Sequence, residues 1–368
     1  MEANKPSQKL LQYLRDAKTI SDEGRTTRFV LGNESADLDS MAAAVSYAYY
    51  ATEVAPDGGA PFVPLINVPR ADYKLRTEAV FLFSSVGIEP DLLTFIDEVD
   101  LDALHAGDGL ELILVDHNVL SAAQSALADA VVGVVDHHKD EGQFGGAALR
   151  VVEPVGSAST LVAERLLSKN AAAVDAGLAQ LLVGTILLDT VNLSADAKRA
   201  TPKDVDIATR LLAICGAGRN ELFERLQFEK FNVAALDTSD LLRKDYKEFQ
   251  LGAVRCGIAS VLMSAAQWLD KDPDLAASLG KFAAAHKLDL LLAMNAYTEP
   301  EFRRDLVIWA ADETLRRRVI DFLIGSELGL QAISHPNAPE DPEVALFAQA
   351  NAAYSRKKLQ PLLQDLLA

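Results

Sequence analysis

Three times in the first 140 residues, an apolar run of strand length gives way to acidic or imidazole side chains. Thr27 to Leu31 (TRFVL) leads into GNESADLDS, with Asn33, Asp37 and Asp39. LILV leads into Asp116 and His117, and VVGVV into Asp136, His137 and His138. Phe62 to Val68 is a further strand-length run. Helical patterns fill the gaps, notably from about Ser40, over Ser159 to Leu167 and over Val174 to Leu188. Strand–helix alternation of this kind predicts an α/β fold, a parallel sheet with helices on both faces. Ligands in such sheets sit beyond the carboxyl ends of the strands, so the three segments are expected to meet at one edge.

Those residue types share one chemistry. A hard divalent cation takes carboxylate oxygens and tolerates imidazole, and two such cations need a carboxylate between them. Asp189, in the apolar helical run GTILLDTVN, adds a fourth segment, and a buried carboxylate left unpaired is costly. Taken singly, an Asp after a strand is a turn residue or a helix cap. The coincidence of four segments is what points to a metal centre.

The length of 368 residues predicts two domains, with a boundary at Gly216-Ala217-Gly218 that gives spans 1–217 and 218–368. The second span is expected to be a smaller α/β domain with a mixed sheet: Val254 to Val261 and Leu288 to Met294 as strands, Glu313 to Ile324 as a helix. Ser334 to Pro342 is loop-like by composition. The net charge of −18 divides as −14 before Gly218 and −4 from there on. A chain this acidic, without a basic stripe interleaved with aromatics, is not expected to bind nucleic acid. No apolar run is long enough for a membrane span, the N-terminus reads as neither signal nor transit peptide, and Cys215 and Cys256 are too few for a disulfide scaffold. A cytoplasmic protein, monomeric and with no membrane partner, is expected.

The ordered series Asp37-x-Asp39, Asp116, Asp136-His137-His138 and Asp189 resembles the DHH-superfamily phosphoesterases. That superfamily includes family II inorganic pyrophosphatases, RecJ-type nucleases, animal prune proteins and fungal cytosolic exopolyphosphatases. DLLRKDYKEF (Asp240 to Phe249) and SRKKLQP (Ser355 to Pro361) look like the phosphate-binding motifs of the DHH-associated C-terminal domain. The resemblance implies a Rossmann-like first domain and an active site in the cleft between the domains. It implies two divalent cations, Mg2+ foremost with Mn2+ or Co2+ as alternatives. Asp37 and Asp116 would hold one; Asp39, Asp116, His137 and Asp189 the other. Asp116, Asp136 and His138 would be the catalytic residues, with His138 facing substrate phosphate or the attacking water. Lys247, Arg356 and Lys357 would neutralise phosphate oxygens, and Ser157, ahead of a helix start, is a further candidate phosphate ligand.

One position departs from the pyrophosphatases. They carry His four residues before the first Asp of the series; Asn33 stands there instead, an oxygen ligand at best and one that favours magnesium. Fungal exopolyphosphatases and prune resemble this chain in having Asn there. The resemblance therefore implies an exopolyphosphatase that releases orthophosphate from the end of inorganic polyphosphate. The end of the chain seven residues after Pro361 favours the fungal over the animal form. A prune-like activity on short polyphosphates or cyclic nucleotides, or pyrophosphatase activity, is the alternative.

Overall fold

The computed structural model describes residues 6–107, 109–298, 301–337 and 343–368. The expected loop at Ser334 to Pro342 thus lies outside the described residues from 338 onward. The chain forms two compact units that divide between Lys230 and Phe231.

The first unit is built on six parallel strands: β1 (Arg28–Leu31), β2 (Val63–Ile66), β3 (Thr94–Phe95), β4 (Glu111–Val115), β5 (Val131–Asp136) and β6 (Leu149–Val152), ordered β3-β2-β1-β4-β5-β6. Strands β1 and β2 are buried throughout, as their unbroken apolar runs require of strands covered on both faces. The chain winds outward from β1 to β3, then restarts beside β1 with β4 and winds the other way. With right-handed crossovers, the connections of the two halves lie on opposite faces, and the reversal opens a crevice at the carboxyl ends of β1 and β4. Topology alone thus puts the segments after Leu31 and Val115 side by side.

Long helices finish this edge. Leu38–Tyr49, Ala158–Asn170 and Ala176–Asp189 pack against one another. The last of these is apolar almost all round and buries Leu178, Leu181, Leu182, Ile186 and Leu187 completely, which carries Asp189 at its C-terminal end to the rim of the core.

The expected boundary falls at a genuine helix end. Pro202–Cys215 stops at Gly216, a left-handed C-cap with φ +68°. The next helix, Arg219–Phe231, nevertheless stays with the first unit through Leu226, which is fully buried in its core. The division comes thirteen residues after that boundary.

The second unit is a six-stranded mixed sheet, ordered β11-β12-β10-β9-β8-β7: β7 (Tyr246–Leu251), β8 (Val254–Val261), β9 (Leu290–Thr298), β10 (Phe302–Trp309), β11 (Leu330–Ala332) and β12 (Val344–Gln349). Only β8 and β9 run parallel; the other pairs are antiparallel. Helices Glu313–Ile324 and Arg356–Leu367 cover one face, closing a core of Ile258, Leu292, Leu306, Val319, Leu359 and Leu363. Among the described residues no helix is long and apolar enough to cross a membrane.

Candidate metal centre

The residues gather where β1 and β4 diverge. Past Leu31 the chain turns through Asn33 into the helix Leu38–Tyr49, whose N-cap is Asp37, accepting the Ser40 N–H at 3.1 Å. That start buries Asp39 in the first turn. The helix Ala158–Asn170 begins directly against it. Asp39 accepts from Ser157 Oγ (2.8 Å), Ala158 N (2.6 Å), Ser159 N (2.9 Å) and Ser159 Oγ (2.6 Å). The orphan donors and positive dipole end of that helix are therefore occupied by a carboxylate of this chain. Ser157, expected to meet substrate phosphate, is instead fully buried and committed to Asp39.

Asp116 follows β4 in a left-handed conformation, φ +62°, and is 2% exposed. Its Oδ2 accepts from Asn33 Nδ2 at 2.7 Å and its carbonyl from the same nitrogen at 3.2 Å. Asn33 Oδ1 in turn accepts the Ala36 N–H at 3.1 Å, which fixes the amide with its nitrogen towards Asp116. Asn33 was expected as an oxygen ligand; here its oxygen closes a turn and its nitrogen orients Asp116.

Asp136, last residue of β5, is fully buried. One oxygen accepts from His137 N (2.8 Å), His138 N (3.2 Å) and His138 Nδ1 (2.8 Å); the other accepts from Asn118 Nδ2. Burial alone would raise this carboxyl, but the bonds from His138 and Asn118 hold it below the usual range. It is a positioning group, one bond behind His138. His138 itself is 56% exposed, and the bond to Asp136 raises its imidazole above the ordinary histidine value.

His137 faces inward. Its Nδ1 lies 2.9 Å from the Val155 carbonyl, which can only accept, so Nδ1 carries a proton. Nε2 then points at two carboxylates, 3.1 Å from Asp116 Oδ1 and 3.8 Å from Asp39 Oδ2. Burial would lower this imidazole, yet the contact with Asp116, followed by the charge of Asp39, lifts it to about 10. Asp116 is pushed up to about 8 by burial and then by Asp39. Burial first, and then Asp39, also raise Asp37 and Asp189; Asp37 keeps solvent contact, but protein crowds its carboxyl.

Asp37, Asp39, Asp116, His137, His138 and Asp189 line one cavity of about 330 Å3, together with Arg199. Like charges about 4 Å apart repel by about 4 kcal/mol at an effective dielectric of 20, so four carboxylates call for a counter-charge. Asp189 Oδ2 is buried with no hydrogen-bond partner, and Asp116 Oδ1, equally buried, faces only the imidazoles of His137 at 3.1 Å and His138 at 3.7 Å. Oxygen-rich donors, an imidazole locked by a carbonyl behind it and a buried carboxylate oxygen with no partner fit a divalent cation. Asp116, His137 and His138 in addition offer ligand atoms within 4.8 Å of one another.

Sequence reasoning gave no role to Asn118, Asp204 or Arg199. Asn118, third residue of the string DHN, ties Asp136 to the loop beyond β5, donating to the Lys139 carbonyl at 3.0 Å and accepting the Glu141 N–H at 2.9 Å. Asp204 is buried and holds Gly156 N (2.8 Å) and Thr160 Oγ1 (2.6 Å), pinning the turn that delivers Ser157. Its capping-box spacing from Thr201 was the legible signal.

Lys247, Arg356 and Lys357 belong to the second unit. Lys247 and Lys357 are exposed. Arg356 begins the helix Arg356–Leu367 and donates to Asp245 Oδ1 at 2.6 Å and to the Asp245 carbonyl at 3.0 Å. It also reaches the Ile258 carbonyl at 3.5 Å, and Ile258 is the register partner of Lys247. Arg356 and the Lys247 strand position are thus neighbours within that unit.

Comparison with known proteins places these features in a family. The model of the DHH family, N-terminal domain, matches residues 28–186, and that of the DHHA2 domain matches residues 224–366. The human protein named Exopolyphosphatase PRUNE1 is 37% identical over 362 residues, 97% of this chain and 79% of that protein. A Schizosaccharomyces pombe protein whose name carries the word exopolyphosphatase is 31% identical over 375 residues, 97% of this chain and 95% of its own. A protein of Methanothrix thermoacetophila named manganese-dependent inorganic pyrophosphatase is 26% identical over 269 residues, 72% of this chain and 80% of its own.

Proposed function

This chain belongs to the DHH family and carries a DHHA2 domain, and on that premise we propose that it is an exopolyphosphatase, hydrolysing terminal phosphoanhydride bonds of inorganic polyphosphate to release orthophosphate. The observation that carries the reading is the cavity in which Asp37, Asp39, Asp116, Asp189 and His137 converge, with Asp189 Oδ2 unpartnered and Asp116 Oδ1 meeting only imidazole nitrogen. Relatives named as exopolyphosphatases support the substrate class. The donation from Asn33 to Asp116, where the pyrophosphatases have an imidazole, supports polyphosphate over pyrophosphate as the main substrate.

In this proposal two divalent cations are held, one by Asp37 and Asp116, the other by Asp39, Asp116, His137 and Asp189. When bound they supply Lewis acidity and bring the pKa of an attacking water towards neutrality. Asn33, Ser157 and Ser159 keep Asp116 and Asp39 in place through the hydrogen bonds described above. His138, held by Asp136, presents Nε2 to the phosphoryl oxygens as a proton donor. Lys247, Arg356 and Lys357 neutralise the charge of the chain being cut, Arg356 through its fork and the lysines as point charges. The test is orthophosphate release from long-chain polyphosphate, pyrophosphate and cyclic AMP, in magnesium and then in manganese, with product sizing. Preferred turnover of either small substrate overturns the assignment.

A further inference from the structure

The cavity wall contains one cationic side chain that belongs to none of the motifs, Arg199. It is exposed, and among the described residues its guanidinium makes no hydrogen bond or ion pair, although carboxylates line the same cavity. Its backbone, by contrast, is fixed. A Cβ at Gly156 would come 2.8 Å from the Arg199 carbonyl and 2.5 Å from Thr190 Cγ2, so glycine is required there for the two segments to touch.

The segment leading to Arg199 is held in an unfavourable shape. Val191, Asn192 and Leu193 all have left-handed φ (+52°, +59°, +56°), as does Lys198 (+53°). For a β-branched residue such as Val191 this is a steric outlier, and strain of this kind persists only where the surroundings over-determine it. They do so here. Asn192 N donates to the Leu187 carbonyl at 2.7 Å. Arg219 clamps Asn192 from outside, donating to its Oδ1 at 3.0 Å and its carbonyl at 2.8 Å. The strained turn begins directly after Asp189, a cavity carboxylate, and returns the chain to the cavity at Arg199.

We propose that Arg199 is a substrate-binding residue of the cavity, its guanidinium gripping non-bridging oxygens of the terminal phosphoanhydride and sharing the charge with the cations of the proposed function, on which this inference rests. An unpaired guanidinium fits an anionic, fork-accepting ligand, and the rest of the wall, four carboxylates, two imidazoles, Val155 and Gly156, gives an incoming phosphate no other guanidinium fork. The strained turn sets where that fork stands.

The test uses the full-length chain with Arg199→Gln and Arg199→Lys. Magnesium-dependent polyphosphate hydrolysis, inhibition by orthophosphate, and manganese binding by calorimetry are measured for each. Arg199→Gln is expected to raise KM and weaken orthophosphate inhibition about 10- to 100-fold, with manganese affinity and thermal midpoint unchanged; Arg199→Lys should fall between, as a point charge without the fork. Unaltered KM and inhibition in Arg199→Gln overturns the inference. So does loss of manganese binding together with activity, because the residue would then be structural. Should the native chain hydrolyse no phosphoanhydride, the functional reading fails by itself, and calorimetric binding of orthophosphate in magnesium to the native chain and Arg199→Gln still decides the role of Arg199: equal affinities overturn it.

Discussion

Asn33 gives its amide nitrogen to Asp116 Oδ2 at 2.7 Å, while Asp116 Oδ1, buried, faces His137 Nε2 at 3.1 Å inside the cavity. One oxygen of the central carboxylate is thus anchored and the other turned to the imidazole that shares the cavity, the division expected of a ligand oriented from behind. Asn33→Ala should therefore lower divalent-cation affinity about 10- to 100-fold with little change in fold, the usual cost of losing such a partner. Manganese titration by calorimetry checks it. Asn33→His should move the metal preference from magnesium towards manganese, read as the ratio of polyphosphate hydrolysis rates in the two metals.

Asp39 depends on Ser157 and Ser159. The double variant Ser157→Ala/Ser159→Ala removes two hydroxyl donors to a buried carboxylate, each worth about 1.5–3 kcal/mol. Lower thermal stability and weaker cation binding are expected together. A variant that kept full metal affinity would show that Asp39 needs no such support.

Asp136→Asn nearly keeps the volume of that residue but removes its charge and one of its two acceptors, so that the oxygen facing His138 Nδ1 and the oxygen facing Asn118 Nδ2 cannot both be kept. Loss of about 100- to 10,000-fold in kcat is expected, the range spanned by removing a general acid or the group that fixes its tautomer. Metal affinity should be nearly retained, which separates this effect from that of Asp116.

Stability of the metal-free chain should fall as pH rises above neutrality. Asp116, raised to about 8, and His137, raised to about 10, each bind a proton more tightly in the folded state than their ordinary values of 3.8 and 6.5 allow in the unfolded one. The stability they lend is full below those ordinary values and is lost as pH rises through about 8 and about 10. In chelator, the thermal midpoint should fall from pH 6 to pH 9. Magnesium should restore it, and most at the higher pH, since cation binding displaces those protons. A midpoint that rose with pH in chelator would contradict the assigned electrostatics.

Much of the centre was legible because topology does the gathering. Asp116, Asp136 and His137 stand at or just past strand ends, Asp37 and Asp39 at the start of the helix that follows β1, and parallel strands share a carboxyl edge. Asp189 was legible as a costly acid in an apolar helix. What was not legible was which donor meets which acceptor across the chain. Ser157 reads as a helix start open to phosphate until Asp39, 118 residues away, is seen to fill it. Asn33 reads as a ligand until the turn that takes its oxygen fixes the amide. Gly216 reads as a domain boundary because a left-handed cap ends a helix whether or not a domain ends with it. Strand β3 has only two residues, and β6, half-buried throughout with Arg150 inside it, lacks the unbroken apolar run that marks β1 and β2.

The central claim is that phosphoanhydride hydrolysis runs through Asp116. Its most direct test is orthophosphate release from long-chain polyphosphate in magnesium by the native chain and by Asp116→Asn, side by side. The account predicts magnesium-dependent release by the native chain and a loss of about a hundredfold or more in the variant, which keeps the size of the residue but not its charge. Equal rates for the two would contradict it.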